Sequence, residues 1–239
     1  MDTAISFFSQ NWLNVIALAW FLICFKGYMF YAHRKSFTTP CLASVMHMYR
    51  FEWMLRMIDR DNRISDTSAI ANLERSVSFF ASTTMLILAG LMTVLGSTEQ
   101  AIDIVSDIPF ATQATQQEWE LKILLLIVLF VYAFFKFTWS LRQYGFVSVM
   151  VGSAVMPGEA ANEQVKNASA DRLARMTSMA ANNFNLGLRT FYFSQAVLGW
   201  FINPILFMGL ATLVTWILYR REFSSDTLQI LMMSGGEVK

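Results

Sequence analysis

VSFFASTTMLILAGLMTVL, residues 77–95, carries no charged side chain. A helix needs roughly 17–25 mostly apolar residues to cross about 30 Å of hydrocarbon, and this run meets that length. Backbone N–H and C=O groups in lipid must be satisfied within the segment, so such a run is read as a helix. Three more runs resemble it. Trp12–Tyr31 has one charge, Lys26; Ile123–Phe135 has none and continues through Lys136 to Trp139; Val197–Tyr219 has none. No ten-residue block alternates with period two, which excludes a membrane barrel.

Composition agrees. The chain has 239 residues, 55% hydrophobic and 15% charged, with net charge +1. A soluble domain carries about 25% charged residues. The shortfall argues against a soluble enzyme or a disordered chain, and the near-neutral balance against nucleic-acid binding. The fold expected is all-α: one polytopic membrane helical bundle over 1–239. Its four spans fall at about 12–31, 77–95, 121–139 and 197–219. Helical segments at about 41–75 and 140–190 extend into the cytoplasm, and a short outer helix covers about 98–108. No small-residue cleavage pattern follows Trp12–Tyr31, so it reads as a retained span.

Lys and Arg set orientation. The connection 33–75 has Arg34, Lys35, Arg50, Arg56, Arg60, Arg63 and Arg75; the connection 97–120 has none; the connection 140–190 has Arg142, Lys166, Arg172, Arg175 and Arg189. The N-terminus is therefore expected outside. Arg220 and Arg221 break the pattern, since four passes end outside. Either they snorkel at the outer interface, or the chain turns back at Asn203-Pro204 in a hairpin over Phe184–Phe223. Asn185, Arg189, Thr190, Ser194 and Gln195 make the first limb of that hairpin polar for lipid, so a single pass is preferred.

On the inner side, Leu42, Val45, Met46, Tyr49, Trp53 and Met57 form one apolar stripe, and Leu173, Met176, Ala180, Phe184, Leu188 and Phe191 another. They are read as packing on one another in an extension of the bundle, with a membrane-surface helix as the alternative. Pro40 suits the first turn of the first stripe's helix. Asp59–Arg63 breaks it as a self-paired turn, and Ser65 or Asp66 caps the next helix. Pro157-Gly158 stops the helix that leaves the third span.

Chemistry-bearing motifs are missing. His33 and His47 form no helical ligand pair, Cys24 and Cys41 are expected reduced, and there is no phosphate loop or nucleophile elbow. Asp59, Asp61 and Asp66 do not fit a calcium loop, whose sixth position is Gly, because Ile64 stands there. No catalytic residue, metal or cofactor is expected. Ser97–Gln100 reads as a capping box, after which Glu99, Asp103 and Asp107 share one side: a solvated face or a cation-attracting outer rim. Lys26 and Lys136 sit near the inner ends of spans, where snorkelling is the cheaper account. No carboxylate lies within a span. In span two, Arg75, Ser78, Ser82, Ala89 and Thr93 share one face with Thr83 nearby, either a helix contact within one subunit or a pore-lining or subunit-facing surface.

Several blocks resemble one bacterial membrane family. They are Arg60-Asp61-Asn62-Arg63, Arg75 through Thr84, Phe135 through Gln143, Asn183-Phe184-Asn185, Gly199-Trp200-Phe201 and Leu218 through Phe223. The family is the one called "domain of unknown function 599". The resemblance implies a small multi-pass inner-membrane protein and no particular activity. The function expected is a homo-oligomeric channel or transporter-like pore in the bacterial inner (cytoplasmic) membrane, not an enzyme. The alternative is a non-catalytic accessory or scaffold subunit. The partners expected are the lipid bilayer and further copies or other membrane subunits, with no nucleic acid.

Overall fold

The computed structural model describes residues 12–36, 38–106, 115–157 and 162–233, without the side chains of 103–106. Every regular element among them is an α-helix. In chain order these are α1 Trp12–Lys35, α2 Leu42–Ile58, α3 Ile64–Gly96, α4 Thr98–Ser106, α5 Gln116–Gly152, α6 Glu163–Ile202, α7 Pro204–Phe223 and α8 Asp226–Met232. Three of them, α1, α3 and α5, are long and apolar enough to cross a membrane. They contain the expected spans at 12–31, 77–95 and 121–139.

The stretch 197–219 departs from expectation: it is two helices, not one. Asn203 is non-helical and its Oδ1 accepts from the Ile205 N–H at 2.8 Å. Pro204 then opens α7, where a missing N–H costs nothing. The chain reverses there. The Trp200 and Phe207 rings stack at 4.9 Å, whereas seven residues of straight helix would separate them by about 10 Å. Gly199 suits the close return, since a Cβ there would meet Leu210 Cδ1 of the returning helix at 2.6 Å.

The chain divides into two compact units; α3, α5 and α6 contribute to both, as does α7 through its last two residues. The first comprises Met1–Thr38, Leu86–Val131 and Arg189–Arg221. Here α1 runs antiparallel to the end of α6: Trp200 Nε1 donates to Asn14 Oδ1 at 2.8 Å, Phe21 meets Phe193 at 6.0 Å, and Arg189 lies 5.5 Å from the Tyr28 ring. α7 runs parallel to α1, with Trp20 Nε1 donating to Thr212 at 3.0 Å and Lys35 Nζ to Tyr219 at 3.1 Å. The C-terminal ends of α1 and α7 therefore lie together. Arg189, Thr190 and Ser194 are buried. Three of the five polar residues that count against a hairpin limb therefore face protein, whereas Asn185 is half-buried and Gln195 is exposed.

The second unit comprises Thr39–Met85, Tyr132–Leu188 and Glu222–Lys239. Its core joins Met54, Met57 and Ile58 of α2, Ile70, Val77 and Ala81 of α3, Phe137, Tyr144 and Val147 of α5, and Leu173 and Ala180 of α6. The helical stripes thus pack on one another. On α2 the buried face is Val45, Met54, Met57 and Ile58, while Tyr49 is exposed. Its N-cap is Cys41, so Pro40 precedes the cap and does not enter the first turn. α3 begins at Ile64, whose N–H donates to Asn62 Oδ1 at 2.9 Å. Ser65 and Asp66 therefore lie inside the helix and do not cap it. Asp66 is buried and accepts from Trp53 Nε1 and Arg60, both at 2.6 Å. The turn is only partly self-paired, because Asp59 takes Lys166, 107 residues on, at 2.7 Å. Arg63 reaches the end of α5, donating to the carbonyls of Val151, Ala154 and Val155 at 3.0, 2.9 and 2.6 Å. Val151 also accepts from the Ala154 N–H at 3.4 Å, and Ala154 and Val155 follow the helix, so the guanidinium ties down the chain just where α5 ends.

Candidate functional site

α3 buries Asp66, Ile70, Val77, Ala81 and Thr84. The stripe singled out from sequence lies elsewhere on the helix. Arg75, Ser78, Ser82, Ala89 and Thr93 are exposed and Thr83 is half-buried. Thr83 and Thr93 bond back to the carbonyls of Phe79 and Ala89 at 2.8 and 3.1 Å, which satisfies their hydroxyls without a second helix. Within the second unit, Arg75, Ser78 and Ser82 line an open groove with Ala71, Glu74 and Phe79. α3 is also the least covered of the three apolar helices: 17% of its most apolar stretch is buried, against 33% in α1 and 39% in α5.

The acidic rim is described only in part. Glu99 is exposed on α4, the Asp103 side chain is not described, and Asp107 lies outside the described residues, as does the end of the expected helix at 107–108. The Ser97 hydroxyl donates to the Thr93 carbonyl at 3.1 Å.

The two basic residues differ in setting. Lys26 is exposed beside the Phe25 ring at 5.6 Å. Lys136 is half-buried, donates to Asn183 Oδ1 at 3.3 Å and lies 5.6 Å from the Tyr132 ring. Asn183 Nδ2 donates to the buried Gln143 Oε1 at 2.8 Å. A further lysine was missed. Lys122 is 2% exposed, donates to the Trp200 carbonyl at 3.1 Å and sits 5.5 Å from the Trp200 ring. It meets the C-terminal end of α6, where cations are favoured. Its position at the edge of an apolar run made it look like a flank.

α2 and α6 bring together a polar node that spacing could not reveal. His47 Nδ1 is 2.9 Å from Ser178 Oγ, 131 residues away, and Arg50 is 3.5 Å from the same oxygen. Burial lowers the Arg50 guanidinium from its ordinary value, and Tyr144 opposes the shift. Among the described residues no carboxylate is hydrogen-bonded to His47, so the third member of a hydrolytic triad has no counterpart. Nor do three His, Cys, Asp or Glu side chains converge on one point among those residues.

No curated protein matches the chain, and no solved structure matches it. The family described as "Protein of unknown function, DUF599" matches residues 16–227. That span takes in α1 from its second turn, all of α2 through α7 and the opening of α8, so the chain belongs to the DUF599 family.

Proposed function

We propose that this protein forms a homo-oligomeric channel or transporter-like pore in the bacterial inner membrane, with α3 turned toward neighbouring copies and the path. The observation that carries this reading is the exposed polar stripe on α3. Two serines facing lipid would have their hydroxyls desolvated, which is costly. A second copy of the same surface supplies both small residues for close approach and hydroxyls for bonding across it. Arg75 then stands at the inner mouth, and Glu99 on the outer connection attracts cations there.

The α6–α7 hairpin belongs to the same proposal. With its tip at Asn203 on the outer side, the chain crosses five times, from an outside N-terminus to an inside C-terminus. The Lys35–Tyr219 bond supports this, because it joins the base-rich end of α1 to the end of α7 that carries Arg220 and Arg221. Those arginines then obey the positive-inside rule without snorkelling outward.

The test is reconstitution of the purified chain in liposomes with an ion-flux readout. Wild type is expected to pass ions, and Ser82→Trp to abolish flux by filling the stripe. A monomer that passes no ion, or stoichiometric co-purification of a different membrane subunit, would favour an accessory role and defeat the proposal.

A further inference from the structure

The apolar part of α5 ends at an open groove of about 730 Å3, lined among others by Tyr132, Phe135, Lys136, Trp139 and Arg142. Neither cation has an acidic partner: the ion pairs among the described residues are Arg56–Glu52, Arg60–Asp66, Lys166–Asp59 and Arg175–Asp171. Lys136 is steadied from behind. Asn183 Nδ2 is occupied by Gln143 Oε1 at 2.8 Å and the Met179 carbonyl at 3.1 Å, so its Oδ1 is the atom that faces Lys136. Arg142 lies 5.5 Å from the Phe146 ring, a contact that leaves its edge for an anion.

The groove is graded along the helix. Tyr132 and Phe135, 36% and 65% exposed, stand deepest in the span; Lys136 follows, then Trp139, 49% exposed, and Arg142 stands on the base-rich connection. A phospholipid has the same order, acyl chains and then phosphate, and Trp and Tyr favour that depth. We propose that this groove binds the phosphodiester headgroup of an anionic glycerophospholipid, with Lys136 and Arg142 on the phosphate, Trp139 between them at the headgroup and the chains along Tyr132 and Phe135. A free phosphate would engage Lys136 and Arg142 and leave the Tyr132 and Phe135 rings uncovered. The site does not depend on the oligomeric pore.

The full chain, in phosphatidylcholine nanodiscs, is titrated with brominated phosphatidylglycerol or brominated phosphatidylcholine while Trp fluorescence is read. Trp139→Phe isolates the contribution of the groove. A preference of about twenty-five-fold for phosphatidylglycerol is expected, from roughly fivefold for each of the two cations. Lys136→Gln and Arg142→Gln are each expected to lose about fivefold, and the pair to abolish the preference. Arg172→Gln, on α6 away from the groove, is expected to keep it. The charge-preserving pair Lys136→Arg with Arg142→Lys is expected to keep it too, which separates lost charge from lost folding. Equal quenching by both lipids in wild type, an unchanged preference in the double Gln variant, or loss in the charge-preserving pair would overturn the proposal. Displacement of the lipid by millimolar inorganic phosphate would assign the groove to free phosphate and equally overturn it.

Discussion

Replacing Gly187 by Ala forces a methyl group into the ring of Phe137. The added Cβ would lie 2.7 Å from Cδ1 and 2.9 Å from Cζ, with Cε1 also in contact. Carbon atoms rest at about 3.5–4.0 Å, so the ring must retreat by nearly 1 Å. It has little room, being fully buried between Phe80 at 5.7 Å and Phe184 at 5.8 Å. Overpacking of this kind costs about 1–3 kcal/mol. The helix gains back roughly 0.5–1 kcal/mol when Gly becomes Ala. Gly145→Ala is the control, since a Cβ there meets nothing within 4 Å. It should keep the propensity gain, so the two variants should differ by about 1–3 kcal/mol, a gap of several degrees in midpoint at this size. Thermal denaturation in detergent measures it. Adding Phe137→Leu to Gly187→Ala should recover part of the loss, because the two residues act on one contact. If Gly187→Ala melts with or above Gly145→Ala, the packing of α5 on α6 described above is wrong.

Other outcomes follow from the same geometry. Asp66→Asn removes a buried carboxylate from Arg60 and Trp53; because Arg60 is 46% exposed, the expected cost is about 1–3 kcal/mol, below that of a fully buried pair. A midpoint equal to wild type would contradict that role. Asn203→Ala should cost about 1 kcal/mol by removing the cap of α7, and Asn203→Asp should restore most of it. Equal stability of Ala and Asp variants would remove Asn203 from the turn's energetics. A reporter after Lys239 should be active on the cytoplasmic side, opposite one placed before the first residue; activity outside would restore the single pass over 197–219.

Three helices were legible because lipid leaves a one-dimensional mark: Trp12–Tyr31, Val77–Leu95 and Ile123–Trp139 are almost bare of charge. The reversal at Asn203 left no such mark. Apolar residues run on both sides of Asn203-Pro204, and a membrane helix tolerates Pro. Arg189, Thr190 and Ser194 misled for the opposite reason. A linear window counts polarity without knowing that those side chains turn inward. The polar stripe of α3 could be read from 3.6-residue periodicity, although its exposure could not. Lys136 was visible as a lone charge in an apolar run, whereas its support comes from Asn183 on another helix and, through it, from Gln143 two turns on. His47 and Ser178 share no local pattern, so only the fold brings them together.

The mass of the detergent- or nanodisc-solubilised particle, measured without cross-linking, tests the assembly through α3 most directly. The account predicts an integral multiple, two or more, of the 27.3 kDa chain, reduced to one chain by Ser82→Trp. A wild-type particle containing a single chain, or one chain bound to a different protein, would contradict it.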